Sequence, residues 1–145
     1  MSDDPKFKLV IDDLIDQLRA DTVILSGSDP DVTHVICQSH RPPKDASTWT
    51  FELNEDICPH VASMNHPLVV DDAQSHPLLK MAASVREKGV GAYAGYPVAG
   101  ADGRARAVLS AAHDRIHPWS EAEKRLIWEA AHRLSIMLAE PNGDA

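Results

Sequence analysis

Apolar residues recur at Phe7, Val10, Ile11, Leu14 and Leu18, the spacing of three and four that lines one face of a helix. Asp4 stands ahead of them as a capping residue and Pro5 at the first helical position, so a helix is expected over residues 1–20. From Asp21 the period shortens. Residues 22–25 and 32–38 are β-prone runs on either side of the turn cluster GSDPD at 27–31, which predicts a hairpin. The prolines of RPPKD at 41–45 lack the ladder donor and mark an exposed loop, after which residues 48–53 alternate as a third, edge strand.

Ile57, Val61 and Met64 return to helical spacing and predict a helix over 55–64, with Pro59 confined to its first turn. A buried strand over 68–70 ends in Asp71 and Asp72, AQSHP at 73–77 forms a loop, and a helix over 78–88 stops at Gly89. Two more strands, 92–98 and 104–112, flank Asp102-Gly103, a short-range hairpin signal that makes them adjacent and antiparallel. Ser120 and Glu123 have capping-box spacing ahead of a stripe of Leu126, Ile127, Ala130, Ala131, Leu134, Met137 and Leu138. The last helix is therefore expected over 120–140, with a short tail at 141–145. Trp128 and Ile136 fall off that stripe, either as scattered surface residues or as a subunit contact.

This order of elements points to an α+β fold, a mixed or antiparallel sheet carrying helices, rather than a doubly wound parallel sheet. A chain of 145 residues fits a single domain over 1–145, with residues 22–119 supplying the sheet, the inner helices and any pocket. The formal charge is -8, from 14 basic and 22 acidic residues, and the bases do not gather on one face. That balance disfavours nucleic acid and anionic membrane as partners, because phosphate binding needs a basic footprint. Eight histidines can cancel the charge in mild acid, where solubility should fall. Two cysteines, Cys37 and Cys58, are too few for a disulfide-stapled fold and have no CxxC spacing. With no signal peptide and no apolar run long enough to span a bilayer, a soluble, cytoplasmic protein is expected.

Candidate chemistry gathers between residues 54 and 119. Asp71 and Asp72 end a buried strand, where one carboxylate can face a cavity while both can equally cap the following loop. Tyr93 and Tyr96 are three apart and cannot share a face of a regular strand; either Gly95 marks a bulge, or one tyrosine lines a pocket and the other packs under a helix. By the same parity Ser110 and His113 diverge. Cys58 in a first helical turn beside His60 admits a lowered thiol pKa, although a small buried cysteine is the commoner outcome. His60, His66 and His76 lack metal-ligand spacing, and nothing singles out His76 or His113 as a haem ligand, so no metal is expected and no cofactor is assigned.

The words ICPHV at 57–61, PLVVDDA at 67–73, His76-Pro77, Gly89-Val90, YAGYPV at 93–98, Asp102-Gly103 and PWS at 118–120 follow one another in an order that resembles the GAF domain family of small-molecule-sensing modules. The resemblance implies five or six mainly antiparallel strands, with the N- and C-terminal helices on one face and inner helices with loops over a ligand cavity on the other. It implies an unidentified small-molecule ligand contacting residues among Asp71, Asp72, His76, Tyr93, Tyr96, Ser110, His113 and Cys58. It also implies a homodimer through the terminal helices, for which Trp128 and Ile136 are the candidate contacts. The sequence departs from the family's pattern at His113, where an aspartate is usual.

No cysteine follows Cys58, so the later covalent bilin attachment of cyanobacteriochrome-like members is not available, and the cyclic-nucleotide-binding signature is missing. These 145 residues contain no kinase, phosphatase, cyclase or DNA-binding segment, so output is expected through a dimer or a signalling partner. The expectation is a sensory domain with no catalytic residues. The alternatives are an enzyme like the family's free methionine-R-sulfoxide reductases, whose cysteine after the Val-Asp strand is missing from 73–90, and a ligand-free dimerisation module.

Overall fold

Pro5 opens the first helix, α1 (Pro5–Leu18), which turns Val10, Ile11, Leu14, Ile15 and Leu18 inward and ends where Arg19 adopts a left-handed φ of 55°. The structure, a computed structural model, describes residues 5–28, 33–40, 57–82, 85 and 89–139. The expected cap at Asp4, the strand at 48–53 and the tail at 141–145 lie outside the described residues.

Strands β1 (Thr22–Ser28) and β2 (Thr33–His40) form the predicted antiparallel pair, each running longer than the apolar pattern alone, so that Gly27 and Ser28 belong to a strand. Helix α2 (Cys58–Met64) carries Pro59 in its first turn, as its missing donor requires, and Asn65 closes it in the left-handed region. Strand β3 (Leu68–Val70) follows.

The helix expected over 78–88 does not start as an α-helix. Two 3-10 turns, Ala73–Ser75 and Leu79–Met81, stand there instead, and Ala82 leaves the second with extended backbone. The cause is His76, whose Nδ1 accepts from the N–H groups of Leu78 (3.1 Å) and Leu79 (3.3 Å) and tightens the turn. Of residues 83–88 only Val85, buried, is described.

Strands β4 (Ala92–Ala99) and β5 (Ala105–His113) make the predicted hairpin. At its tip Gly103 has φ 83°, and the Asp102 carboxylate accepts from the Arg104 N–H (3.0 Å) and from Arg106 (2.8 Å). Helix α3 (Glu121–Ala139) begins with a closed capping box: Ser120 Oγ accepts from the Glu123 N–H (3.0 Å) and Glu123 accepts from the Ser120 N–H (2.8 Å).

The five described strands form one antiparallel sheet in the order β2-β1-β5-β4-β3. Strand alternation sends side chains to two separate cores. On the outer face Val23, Leu25, Ala92, Ala94, Ala107, Leu109 and Ala111 meet α1 and α3. On the inner face Ile24, Val70, Tyr93, Val108 and Ala112 meet α2 and the 3-10 turns through Ile57, Val61, Leu79 and Val85. The fold is therefore α+β, with its terminal helices on one face and its inner helical pieces on the other.

Candidate functional site

Strands β3 and β4 are neighbours in the sheet, with Leu68 opposite Gly95, Val69 opposite Ala94 and Val70 opposite Tyr93. Residues 68–72 and 92–98 are thus one continuous surface, and alternation divides their side chains. Tyr93 belongs to the inner core and Tyr96 to the outer one, where burial pushes its phenol above the ordinary range, partly offset by Lys124. Ser110 sits among inner-facing Val108 and Ala112, whereas His113 keeps the outward parity of Leu109 and Ala111.

At the centre of the inner face, three buried polar side chains touch. Tyr93 Oη lies 2.7 Å from Ser110 Oγ, which lies 3.4 Å from Cys58 Sγ. The tyrosine reaches Ser110 by lying across Gly95, where a Cβ would come within 2.3 Å of its hydroxyl. The hydroxyls satisfy each other in an otherwise apolar layer, where an unpaired hydroxyl is costly. Ile24, Ile57, Val61, Val108 and Ala112 belong to the same buried cluster as Tyr93 and Cys58. Cys37 is buried in the outer core and Cys58 in the inner one, so the sheet separates the two thiols.

Asp71, Asp72 and His76 meet elsewhere, in an open groove of about 470 Å³ beside the end of β3, which Val69, Ser75, Trp119 and Lys124 also line. Asp72 accepts from Ser75 Oγ at 2.9 Å, an ordinary loop cap. Asp71 reaches further. Its backbone carbonyl accepts from the His117 N–H (3.0 Å) and its carboxylate from the Trp119 N–H (3.1 Å), while Trp119 Nε1 donates to the Val70 carbonyl (3.1 Å). The end of β3 is thereby tied to His117 and Trp119, just ahead of α3. Lys124 pairs with Glu121 at 2.8 Å, which raises its pKa at the rim.

His113 stands behind this joint. Its ring stacks on His117 at 4.1 Å, and Trp119 packs against both rings, 5.1 Å from His113 and 4.8 Å, edge-on, from His117. His117 Nε2 contacts the Glu123 carboxylate at 2.9 Å, so the capping box holds an imidazole as well. Burial would raise the Glu123 carboxyl, but hydrogen bonds from the Ser120 N–H and from His117 carry it below its ordinary value. Burial and His117 lower the His113 pKa to about 4 against the opposing pull of Asp21 and Glu123.

Asp21, His117 and Lys124 were not singled out by spacing, and Glu123 was singled out only as half of a capping box and Trp119 only as part of the PWS word at 118–120. Trp119 lies 48 residues from Asp71, and no local pattern announces a contact at that separation. On α3, Trp128 and Ile136 are exposed, at 56% and 53%, and Trp128 stacks in parallel on His132 at 5.5 Å. Among the described residues no group of three or more His, Cys, Asp or Glu is placed to hold a metal, and no helix is long and apolar enough to cross a membrane.

Similar structures cover nearly the whole chain. The GAF domain of an Acinetobacter phosphoenolpyruvate-protein phosphotransferase superposes with a TM-score of 0.75 at 15% identity, over 100% of this chain and 87% of that one. GAF3 of Slr1393 from Synechocystis sp. PCC6803, in its photoproduct state, gives 0.74 at 16% identity, over 92% and 90%. A type II free methionine-R-sulfoxide reductase from Thermoplasma acidophilum gives 0.71 at 11% identity, over 92% and 90%. At these identities the likeness is one of fold. No curated protein matches the sequence. The family model of the GAF domain matches residues 5–138, and with that match, the sheet order and the two-sided packing, the chain belongs to the GAF domain family.

Proposed function

We propose that this GAF domain is a sensory module that binds a small polar molecule where β3 ends and relays its presence to α3. One observation carries the reading: Asp71, by carbonyl and carboxylate, anchors the residues immediately ahead of α3, and the same carboxylate lines a groove with Asp72 and His76. A ligand that engages Asp71 competes with the Trp119 N–H and so alters how the last helix begins. Tyr93, Ser110 and Cys58 form a polar floor that a ligand entering the inner face would have to engage. Tyr96 and His113, on the outer parity, act on the helices rather than on that ligand. Output would pass through a homodimer or a partner protein.

The test is native mass spectrometry of protein taken directly from cells, followed by thermal unfolding with whatever co-purifies. A ligand that prefers the native state must raise stability by mass action. It should raise the Tm of the natural protein and have a reduced effect on Asp71→Ala. A protein that carries nothing and whose stability no metabolite alters counts against the reading.

A second reading is a ligand-free dimerisation module, favoured by the buried inner cluster of the described residues and by the apolar pair on α3. The reductase alternative has less support, because Cys58 and Cys37 are buried on opposite sides of the sheet. Thiol-dependent turnover of free methionine sulfoxide, lost in Cys58→Ser, would nevertheless establish it.

A further inference from the structure

His113 is only 4% exposed, and among the described residues its Nε2 has no hydrogen-bond partner. The ring packs against two others: His117 covers one face at 4.1 Å, and Trp119 lies against both imidazoles. These three side chains close the segment between β5 and α3, whose N–H groups at 117 and 119 bond to Asp71.

We propose that the His113–His117 stack is a proton-operated latch on the start of α3: with His113 neutral the latch is shut, and protonating His113 frees residues 114–120 from the end of β3. The latch makes no use of a bound ligand.

The groups facing His113 set the balance. From its own segment come His117 and Arg115, both opposing a positive charge, and from the α1–β1 junction comes Asp21, which favours one. Asp21 is already an acceptor, from the Asp114 N–H at 2.9 Å. From α3 comes Glu123, which also favours the charge but is engaged by His117 and the Ser120 N–H. Neither carboxylate is offered to Nε2. A protonated ring would therefore be a buried charged donor without an acceptor, pressed against a second imidazole. The simplest way to hydrate it is to open the segment that covers it, and that segment holds the Asp71 joint. Net burial and repulsion put the His113 titration at about pH 4.

The experiment is a pH titration of the full chain, labelled with 5-fluorotryptophan and with isotopically labelled histidine. Fluorine NMR follows Trp119, assigned by loss of its signal in Trp119→Phe, and carbon NMR follows the His113 ring. Far-UV circular dichroism reports the helices in the same samples. The Trp119 signal should move with the His113 midpoint, below pH 6, before the helical signal is lost. His113→Phe, which keeps a flat ring in the stack, should abolish the movement. If Trp119 titrates with another group, or moves only with the collapse of the helical signal, the latch is wrong. Those comparisons hold in the unsubstituted protein, so failure of His113→Phe to fold would still leave a decisive result.

Discussion

The Tyr93 hydroxyl lies 2.7 Å from Ser110 Oγ, across a glycine on its own strand that has no room for a methyl group. Phenylalanine keeps the ring at position 93 but leaves Ser110 with one partner fewer in an apolar layer. Tyr93→Phe should cost about 1–2 kcal/mol in urea unfolding with an unchanged m-value. A cost near zero would mean that the pair is not formed in solution.

Gly95→Ala should cost about 1–3 kcal/mol, since the new methyl and the Tyr93 ring claim the same space. The penalty should shrink when Tyr93 is first replaced by Leu. A double-mutant cycle reads this as a coupling between the two sites, and additive costs would show that Gly95 is needed for another reason.

His113 makes stability depend on pH in a definite direction. Its folded pKa, about 4, lies below the ordinary 6.5, so the unfolded chain binds the proton first. The contribution is complete above about pH 6.5 and is lost as pH falls toward 4, by at most about 3 kcal/mol. Denaturant midpoints measured from pH 7 to 4 should fall less steeply in His113→Phe than in the natural protein. Parallel slopes would assign the acid sensitivity to other groups.

Trp128 and Ile136 lie on the exposed side of α3, away from the buried Ile127, Ala130, Ala131 and Leu134. If this face joins two copies, light scattering should give twice the chain mass for the natural protein and a single mass for Trp128→Glu, with identical circular dichroism. An unchanged mass would remove Trp128 from the interface.

Much of the fold was legible because its signals are local. The three-and-four spacing of α1 and α3, the Ser120–Glu123 box and the Asp102-Gly103 turn each act within a few residues, and each stands where it was expected. Parity was legible in part: of the two arrangements open to Tyr93 and Tyr96, they occupy opposite faces because the β4–β5 register runs through Gly95 without a bulge. The segment after Asp72 was not, since no spacing announces that the His76 ring, which also lines the groove, accepts from the Leu78 and Leu79 N–H groups where a helix was expected. The joint around Trp119 was equally hidden, because it depends on Asp71, Asp21 and Glu123 arriving from distant parts of the chain.

The order of the strands also sets the order in which this domain can be completed. In the middle of the sheet β1, near the N-terminus, lies beside β5, so that Val23 meets Ala111 and Leu25 meets Leu109. Emerging from a ribosome, β1 can pair with β2 at once but must keep its other edge open until β5 is made. That exposed edge is a template for pairing with other chains. A chain cut short before Ala105 should therefore be a far greater aggregation hazard than one cut after His113, even though both have already made most of their residues.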